Sequence, residues 1–559
     1  MRIRGLPVAL VLALLSGGCT SFAGDPEPAR REPERPVVTS TPDEPLTVVA
    51  DTDPVVSAVT MSAVLFDRAP VVVVARDGDR AGTLLAASAA VGLGVPLLLE
   101  PAGGGPPDLL AGEVGRLGAG TVLAVGEADG TLTVGGPGGG GPDVIAVPAD
   151  PAAVETVTGL AFEPSDPVST RNDPRTVAAL DPAAPVALTV EAPATSAAAP
   201  GDASLPGVRR AEPLARTVVL STGEAASTAA LATARAAGAA VALTSGETDP
   251  RASPEAIAAL SQVAWARPEA VVALGAGFDA EDGLDWKVRT AAGGTQLPGG
   301  GQVLFPGRLL VALYGHPGTA ALGVLGEQDV AAAIERARAH AAPFEALVED
   351  PVVPAFEIIA TVASSAPGED GNYSAEAEVA DLRPWVQAAG EAGLYVVLDL
   401  QPGRTDFLTQ AQRYQELLEL PHVGLALDPE WRLPPDGVHL TQVGSVGVDE
   451  VNQVGAWLAD LTRERALPQK LLVLHQFQLR MIDGRERLDT SRDELAVMIH
   501  ADGQGSQGDK QATWRALHQN PPAGVFWGWK NFYDEDAPML TPEQTMAEVS
   551  PRPDLITYQ

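Results

Sequence analysis

Hydrophobic runs of four to six residues alternate with longer stretches of helical spacing over most of this chain. From residue 53 the pattern predicts a helix over 55–66, a buried strand over 70–75, a helix over 80–91, a strand over 95–100, a helix over 109–117 and a strand over 121–126. The same rhythm returns as strands over 216–221, 240–245 and 270–275 with helices over 225–237 and 254–262. Strands alternating with helices imply a parallel sheet covered on both faces. The phrases Val71-Val-Val-Val-Ala75 and Val218-Val-Leu-Ser221 head matching series, which points to an internal duplication.

A third region carries eight further runs: 308–314, 354–362, 395–400, 423–427, 471–474, 495–499, 524–528 and 555–558. Helical patterns separate most of them, at 330–341, 378–392, 407–418, 449–465, 510–518 and 542–548. The stretch after the fifth run, 480–493, reads as a loop with a short helix. Eight strand–helix alternations over about 250 residues have the size and rhythm of a (β/α)8 barrel. The fold class expected is α/β: two Rossmann-like modules followed by a (β/α)8 TIM barrel.

Composition sharpens this division. The 559 residues include 58 Gly and 49 Pro, and the first half is rich in Ala. All seven His, all six Tyr and six of the eight Trp lie beyond residue 300, so the chemically capable side chains belong to the barrel. A formal net charge of −35 argues against a nucleic-acid partner. The single cysteine excludes an intrachain disulfide.

That cysteine closes a distinct segment. Arg2 and Arg4 precede an apolar run, Leu6–Leu15, and then Ser16-Gly17-Gly18-Cys19. The segment resembles a bacterial lipoprotein signal with its lipobox. The resemblance implies cleavage before Cys19, acylation of that residue, and an extracytoplasmic protein anchored to the membrane by lipid. The resulting division is a signal peptide at 1–18, a disordered tether at 19–46, one α/β module at 47–160, an Ala/Pro-rich linker at 161–215, a second module at 216–300 and the barrel at 301–559. The Gly-rich stretches 103–105 and 135–141 lack phosphate-binding spacing and read as loops.

The phrases Ser57–Phe66, Val71–Gly78, Leu85–Leu99 and Val122–Gly126 resemble the cell-wall-binding repeat family of bacterial surface proteins. That resemblance implies attachment to a cell wall. The C-terminal half is similar to a family of actinobacterial secreted proteins of the same layout, which supports the architecture and no particular reaction.

In such a barrel the C-terminal strand ends build the site. Here they carry Tyr314 and His316, Glu357, Asp399 and Gln401, Asp428 and Glu430 with Trp431, His475 and Gln476, His500 and Asp502, and Trp527, Trp529 and Lys530. Three kinds of site can be made from them. Paired carboxylates serve glycoside hydrolysis, with one kept protonated by its neighbour's charge. If strand geometry runs on through Pro429, Asp428 and Glu430 point the same way. Val423–Trp431 resembles the fourth-strand Asp-x-Glu ending of chitinase-like and lysozyme-like barrel hydrolases, which implies Glu430 as acid and Asp428 as its modulator. Asp399 and Glu357 complete the catalytic candidates, and the remaining residues are substrate-binding candidates, with Tyr314, Trp431, Trp527 and Trp529 offering faces to sugars. Arg404 is a candidate counter-ion for an acidic substrate. This reading needs no metal or cofactor and takes a polysaccharide or peptidoglycan-like substrate. A second reading is a metal-dependent hydrolase using His316, His475 and His500 with Asp399, Asp428 or Asp502. A third is a barrel that binds glycan or cell wall without turnover.

Overall fold

A computed structural model describes residues 34–103, 107–129, 141–169, 172–191, 203–262, 268–439 and 441–559. The expected signal segment, Cys19 and the start of the tether lie outside the described residues, as do most of the two Gly-rich stretches. Among the described residues, no helix is long and apolar enough to cross a membrane.

The chain is mixed α/β with parallel sheets and a closed eight-stranded parallel barrel. The first sheet has the order 97–100, 71–76, 121–125, 143–147, with every pair parallel. The second runs 240–243, 217–221, 270–274, 46–49, also parallel throughout. One hydrophobic core spans both units. It is closed by helix Thr228–Ala236, which packs on Pro54–Leu65 and Arg80–Leu93. The buried faces of Arg80–Leu93 and Thr228–Ala236 are mostly Ala, Gly, Ser and Thr, so these two helices approach closely, while Pro54–Leu65 adds the bulk of Val55, Val59, Met61 and Leu65.

The tether expected up to residue 46 does not extend that far. Arg35–Pro36 pairs with Val208–Arg209, and Val38–Thr39 pairs with Phe66–Arg68. Leu46–Val49 leaves the first module and becomes the edge strand of the second sheet. Short β-branched groups, Val37-Val38-Thr39 and Leu46-Thr-Val-Val49, drive this pairing, and Val37 and Val49 are buried. A windowed reading of composition averages them into their Pro- and Glu-rich surroundings. Nor is 161–215 a bare connection. It contributes helix Asp173–Ala178, and Asp173 holds Arg80 at 2.6 Å.

The barrel strands are β1 (Leu309–Gly315), β2 (Val352–Ala363), β3 (Tyr395–Leu400), β4 (Val423–Leu427), β5 (Lys470–Gln476), β6 (Leu495–Ala501), β7 (Phe526–Asn531) and β8 (Leu555–Tyr558). Each pairs with the next, and β1 pairs with both β2 and β8, which closes the ring. Period-2 alternation sorts the apolar residues into two cores. Leu309, Val311, Leu313, Val396, Leu398, Val423, Leu425 and Leu427 face the surrounding helices. Leu310, Ala312, Val353, Ala355, Tyr395, Val397, Ala426, Leu471, Val473, Ala496, Met498 and Leu555 fill the interior. Leu304 and Phe305 plug the N-terminal end. A Cβ on Gly424 would stand 3.0 Å from the Tyr395 hydroxyl and 2.7 Å from the Leu471 carbonyl oxygen, so glycine there makes room for tyrosine inside the barrel.

The second module docks beside the same end. Buried Lys287 is shared between Glu281 and Asp493, and Arg251 reaches the Asp493 carbonyl. Asp493 lies two residues before β6. The opposite, C-terminal end of the barrel stays open to solvent.

Candidate active site

The inward parity that fills the core runs on to the C-terminal strand ends. There it turns polar and places Tyr314, Glu357, Asp399, Asp428, His475, His500 and Lys530 inside the barrel mouth. Registers such as Tyr314↔Glu357 and His475↔His500 set several of these residues level across neighbouring strands. Gly528 is opposite His500, and a Cβ there would stand 2.5 Å from His500 Cδ2. The glycine gives the imidazole its space.

Above this layer opens a cavity of about 600 Å³. Its wall includes Tyr314, Gln401, Asp428, Glu430, Trp431, Phe477, Asp502, Gln504, Lys530 and Phe532. That is a volume suited to a small ligand or a short stretch of polymer. Glu357, Asp399, His475 and His500 have no exposed surface and lie beneath the floor.

The layer is tightly linked. His475 Nε2 stands 2.9 Å from Glu357 Oε1 and 3.7 Å from Asp399 Oδ1, while its Nδ1 is 2.9 Å from Asp502 Oδ2. The Tyr314 hydroxyl donates to Asp399 Oδ2 at 2.8 Å, and the Thr557 hydroxyl donates to Glu357 Oε2 at 3.0 Å. Lys530 Nζ lies 3.6 Å from Asp502 Oδ2 and 3.6 Å from the centre of the Tyr314 ring.

Burial would raise every carboxyl here, and the cations decide which ones stay ionised. Burial pushes Glu357 up, but His475, His500 and Lys530 bring it down to about 2. Asp502 is likewise held low against burial by Lys530 and His475. Burial pushes Asp399 up, His475 pulls it down and Glu357 pushes it up again, leaving it at about 6. Asp428 is driven well above the carboxylate range, mainly by burial. Burial raises Glu430, the charge of Asp502 raises it further, and Lys530 and His475 hold it at about 7. Burial opposes the charged form of His475, yet Asp399, Asp502 and Glu357 hold it protonated. Burial, with the charges of His475 and Lys530, drives His500 down to about 3 against the pull of Glu357 and Asp502.

The structure brings Glu430 and Asp428 to the cavity wall, though by a route the alternation argument did not foresee. β4 ends at Leu427, and Pro429–Trp431 is a turn of 3₁₀ helix. Asp428 Oδ1 caps that turn by accepting from the Glu430 amide at 3.1 Å. The charge acting most strongly on Glu430 is that of Asp502, not the expected Asp428.

Other candidates go elsewhere. Trp527 and Trp529 have the outward parity of β7 and pack on Trp514, with ring centres 5.8 and 5.6 Å away. They form no sugar platform. Gln476 is outward too and accepts from Arg485 at 3.3 Å. His316 sits past the end of β1, bonds the Ile359 carbonyl oxygen through Nδ1 at 2.9 Å, and faces a separate recess with Trp385. It cannot join His475 and His500 around one ion. Arg404 donates to the Gly437 carbonyl and lies over Tyr373, 4.5 Å from its ring centre.

Phe477, Phe532 and Gln504 also line the cavity. Each follows a strand end by a residue or more, where parity no longer predicts direction. Parity within β7 would have separated Lys530 from Trp529, since adjacent strand residues face opposite ways.

No family model matches the chain, and no curated protein matches it. Among solved structures, the chain is similar to Cwp6 from Clostridium difficile at a TM-score of 0.30 and 11% identity. The match covers 70% of this chain and 66% of that one, so it spans just under two thirds of that protein's length. A likeness this loose carries no function.

Proposed function

We propose that the barrel is a glycoside hydrolase acting on a cell-envelope or extracellular polysaccharide, and that the chain is held outside the cytoplasm by a lipid on Cys19. One observation carries the catalytic reading. A partly buried carboxyl with its pKa raised to about 7, Glu430, lies in the wall of a cavity that Asp502 and Lys530, 3.6 Å apart, also line. Two carboxyl groups in opposite protonation states at neutral pH are what acid-assisted glycoside cleavage requires. Glu430 is the general acid that protonates the departing oxygen. Asp502 is the carboxylate that stabilises positive charge on the sugar ring or directs water to it. Asp428 braces the turn that carries Glu430. Trp431, Phe477 and Phe532 supply apolar faces for sugar rings. The anchor rests on the Leu6–Cys19 pattern alone, and attachment to a wall rests on the repeat-like phrases of the first module.

The test is a hydrolysis screen of the full chain on peptidoglycan, chitin-type polymers and α- and β-glucans, with Glu430→Gln alongside. The reading expects turnover that is lost in the variant on native polymers and partly retained on aryl glycosides, whose leaving groups need little protonation. A substrate retained equally by both proteins and cut by neither would make the barrel a binding module.

A further inference from the structure

We propose that Glu357, His475 and His500 ligate a divalent transition-metal ion beneath the cavity floor, with Asp399 as fourth ligand. The three residues each offer an atom within 4.8 Å of the others, and all three are fully buried. The inference goes beyond the hydrolase reading and does not depend on it.

The side chains are already oriented as ligands. Glu357 Oε2 is held by Thr557, Asp399 Oδ2 by Tyr314, and His475 Nδ1 faces Asp502 at 2.9 Å. In each case the second polar atom stays in the interior: Glu357 Oε1, Asp399 Oδ1 and His475 Nε2. Glu357 Oε1 and Asp399 Oδ1 have no hydrogen-bond partner, and neither ring nitrogen of His500 has one. A buried imidazole without a partner is costly, and a coordinated ion removes that cost. The separations fit as well. His475 Nε2 is 2.9 Å from Glu357 Oε1 and 3.7 Å from Asp399 Oδ1, and His500 Nδ1 is 3.8 Å from Glu357 Oε1. Ligands about 2.0–2.1 Å from a tetrahedral centre stand about 3.3 Å from one another. A carboxylate gripping the far nitrogen of a ligating histidine, as Asp502 does, is the usual outer support of such a site.

The donor set chooses the metal class. Two imidazoles and two carboxylates suit Zn²⁺, Mn²⁺ or Fe²⁺ better than Ca²⁺ or Mg²⁺. The bound ion joins His475 to Glu357, Asp399 and His500. Through His475 and Asp502 it fixes the floor on which the cavity stands.

The full chain is purified, its metal content measured, and chelator-stripped protein titrated with Co²⁺. The proposal expects about one bound ion per chain, ligand-field absorption from Co²⁺ that Zn²⁺ displaces, and a melting temperature raised by either ion. His500→Gln abolishes the absorption while keeping the metal-free circular dichroism, and Asp502→Asn weakens binding roughly 10–100-fold. Glu430→Gln, which stops the proposed hydrolysis, keeps the ion. Native protein that shows neither Co²⁺ absorption nor a shifted melting temperature overturns the proposal, as does a His500→Gln protein that binds as tightly as native.

Discussion

The protonation of Glu430 can be followed from structure to measurement. Its carboxyl rises from an ordinary 4.5 to about 7. That 2.5-unit shift corresponds to about 3.4 kcal/mol of differential interaction. At pH 7 about half of the Glu430 carboxyls are protonated, against about 0.3% for an unperturbed one. The proton is present below the raised value and lost above it, so kcat/KM falls as pH rises through about 7. The groups facing Glu430 set the direction of each perturbation. Asp502 raises it, so in Asp502→Asn, which loses turnover, the Glu430 carboxyl titrates at lower pH. Lys530 lowers it, so Lys530→Met moves the alkaline limb upward. Folding carries the same sign. Because the folded value exceeds the unfolded one, this group's contribution to stability is full below about 4.5 and lost as pH rises through 7. Glu430→Gln removes that dependence. The assay is a ¹³C NMR titration of labelled glutamate carboxyls, identified by difference from Glu430→Gln, beside the pH–rate profile. A carboxyl that titrates near 4.5, a titration that Asp502→Asn leaves in place, or a limb that Lys530→Met leaves in place refutes the argument.

Three further predictions address the scaffold and the cavity wall. Burial lowers Lys470 to about 7, where it donates to the Leu420 and Val423 carbonyls at 2.8 Å. The unfolded chain binds the extra proton between that value and about 10.4, so stability rises with pH across the window; in urea melts the stability of native protein relative to Lys470→Met should be about 3 kcal/mol lower at pH 7 than at pH 9.5. Lys510 and Asp536 form a buried pair at 2.9 Å, and Lys510 also donates to the Gly503 and Lys530 carbonyls. Lys510→Met strands Asp536 and should cost about 3–5 kcal/mol in denaturant unfolding, with much of it recovered by adding Asp536→Leu. Trp431→Ala should raise KM about 2- to 12-fold with an unchanged melting temperature, whereas Trp527→Ala should cost about 3–5 kcal/mol of stability and leave KM alone.

The barrel was legible because its eight runs are short, apolar and regularly spaced, and each became a strand. β7 was placed about two residues early because Trp527 and Trp529 look like the end of a core run. That shift concealed their outward parity. The site was legible as a population of strand-end residues and not as an arrangement. Sequence pairs Asp428 with Glu430 because they are neighbours, while the fold sets Asp502, from two strands further on, to act on Glu430. Nothing local in the sequence separates His475 and His500, which share the interior, from His316, which lies past the end of β1. Register across strands decides it, and register is a property of pairing. The edge strand Leu46–Val49 was missed because four apolar-rich residues do not outweigh a polar window.

That edge strand has a mechanical consequence. A pull on the N-terminal end of the chain does not reach the first module alone. Leu46–Val49 lies parallel to Ala270–Leu274, whose sheet bears on the barrel through Lys287 and Asp493. The strands before it are clasped to Val208–Arg209 and to Phe66–Arg68. Load entering at residue 34 is shared as shear between both sheets. The barrel mouth, at the far end from this clasp, keeps its shape while the stem takes the strain.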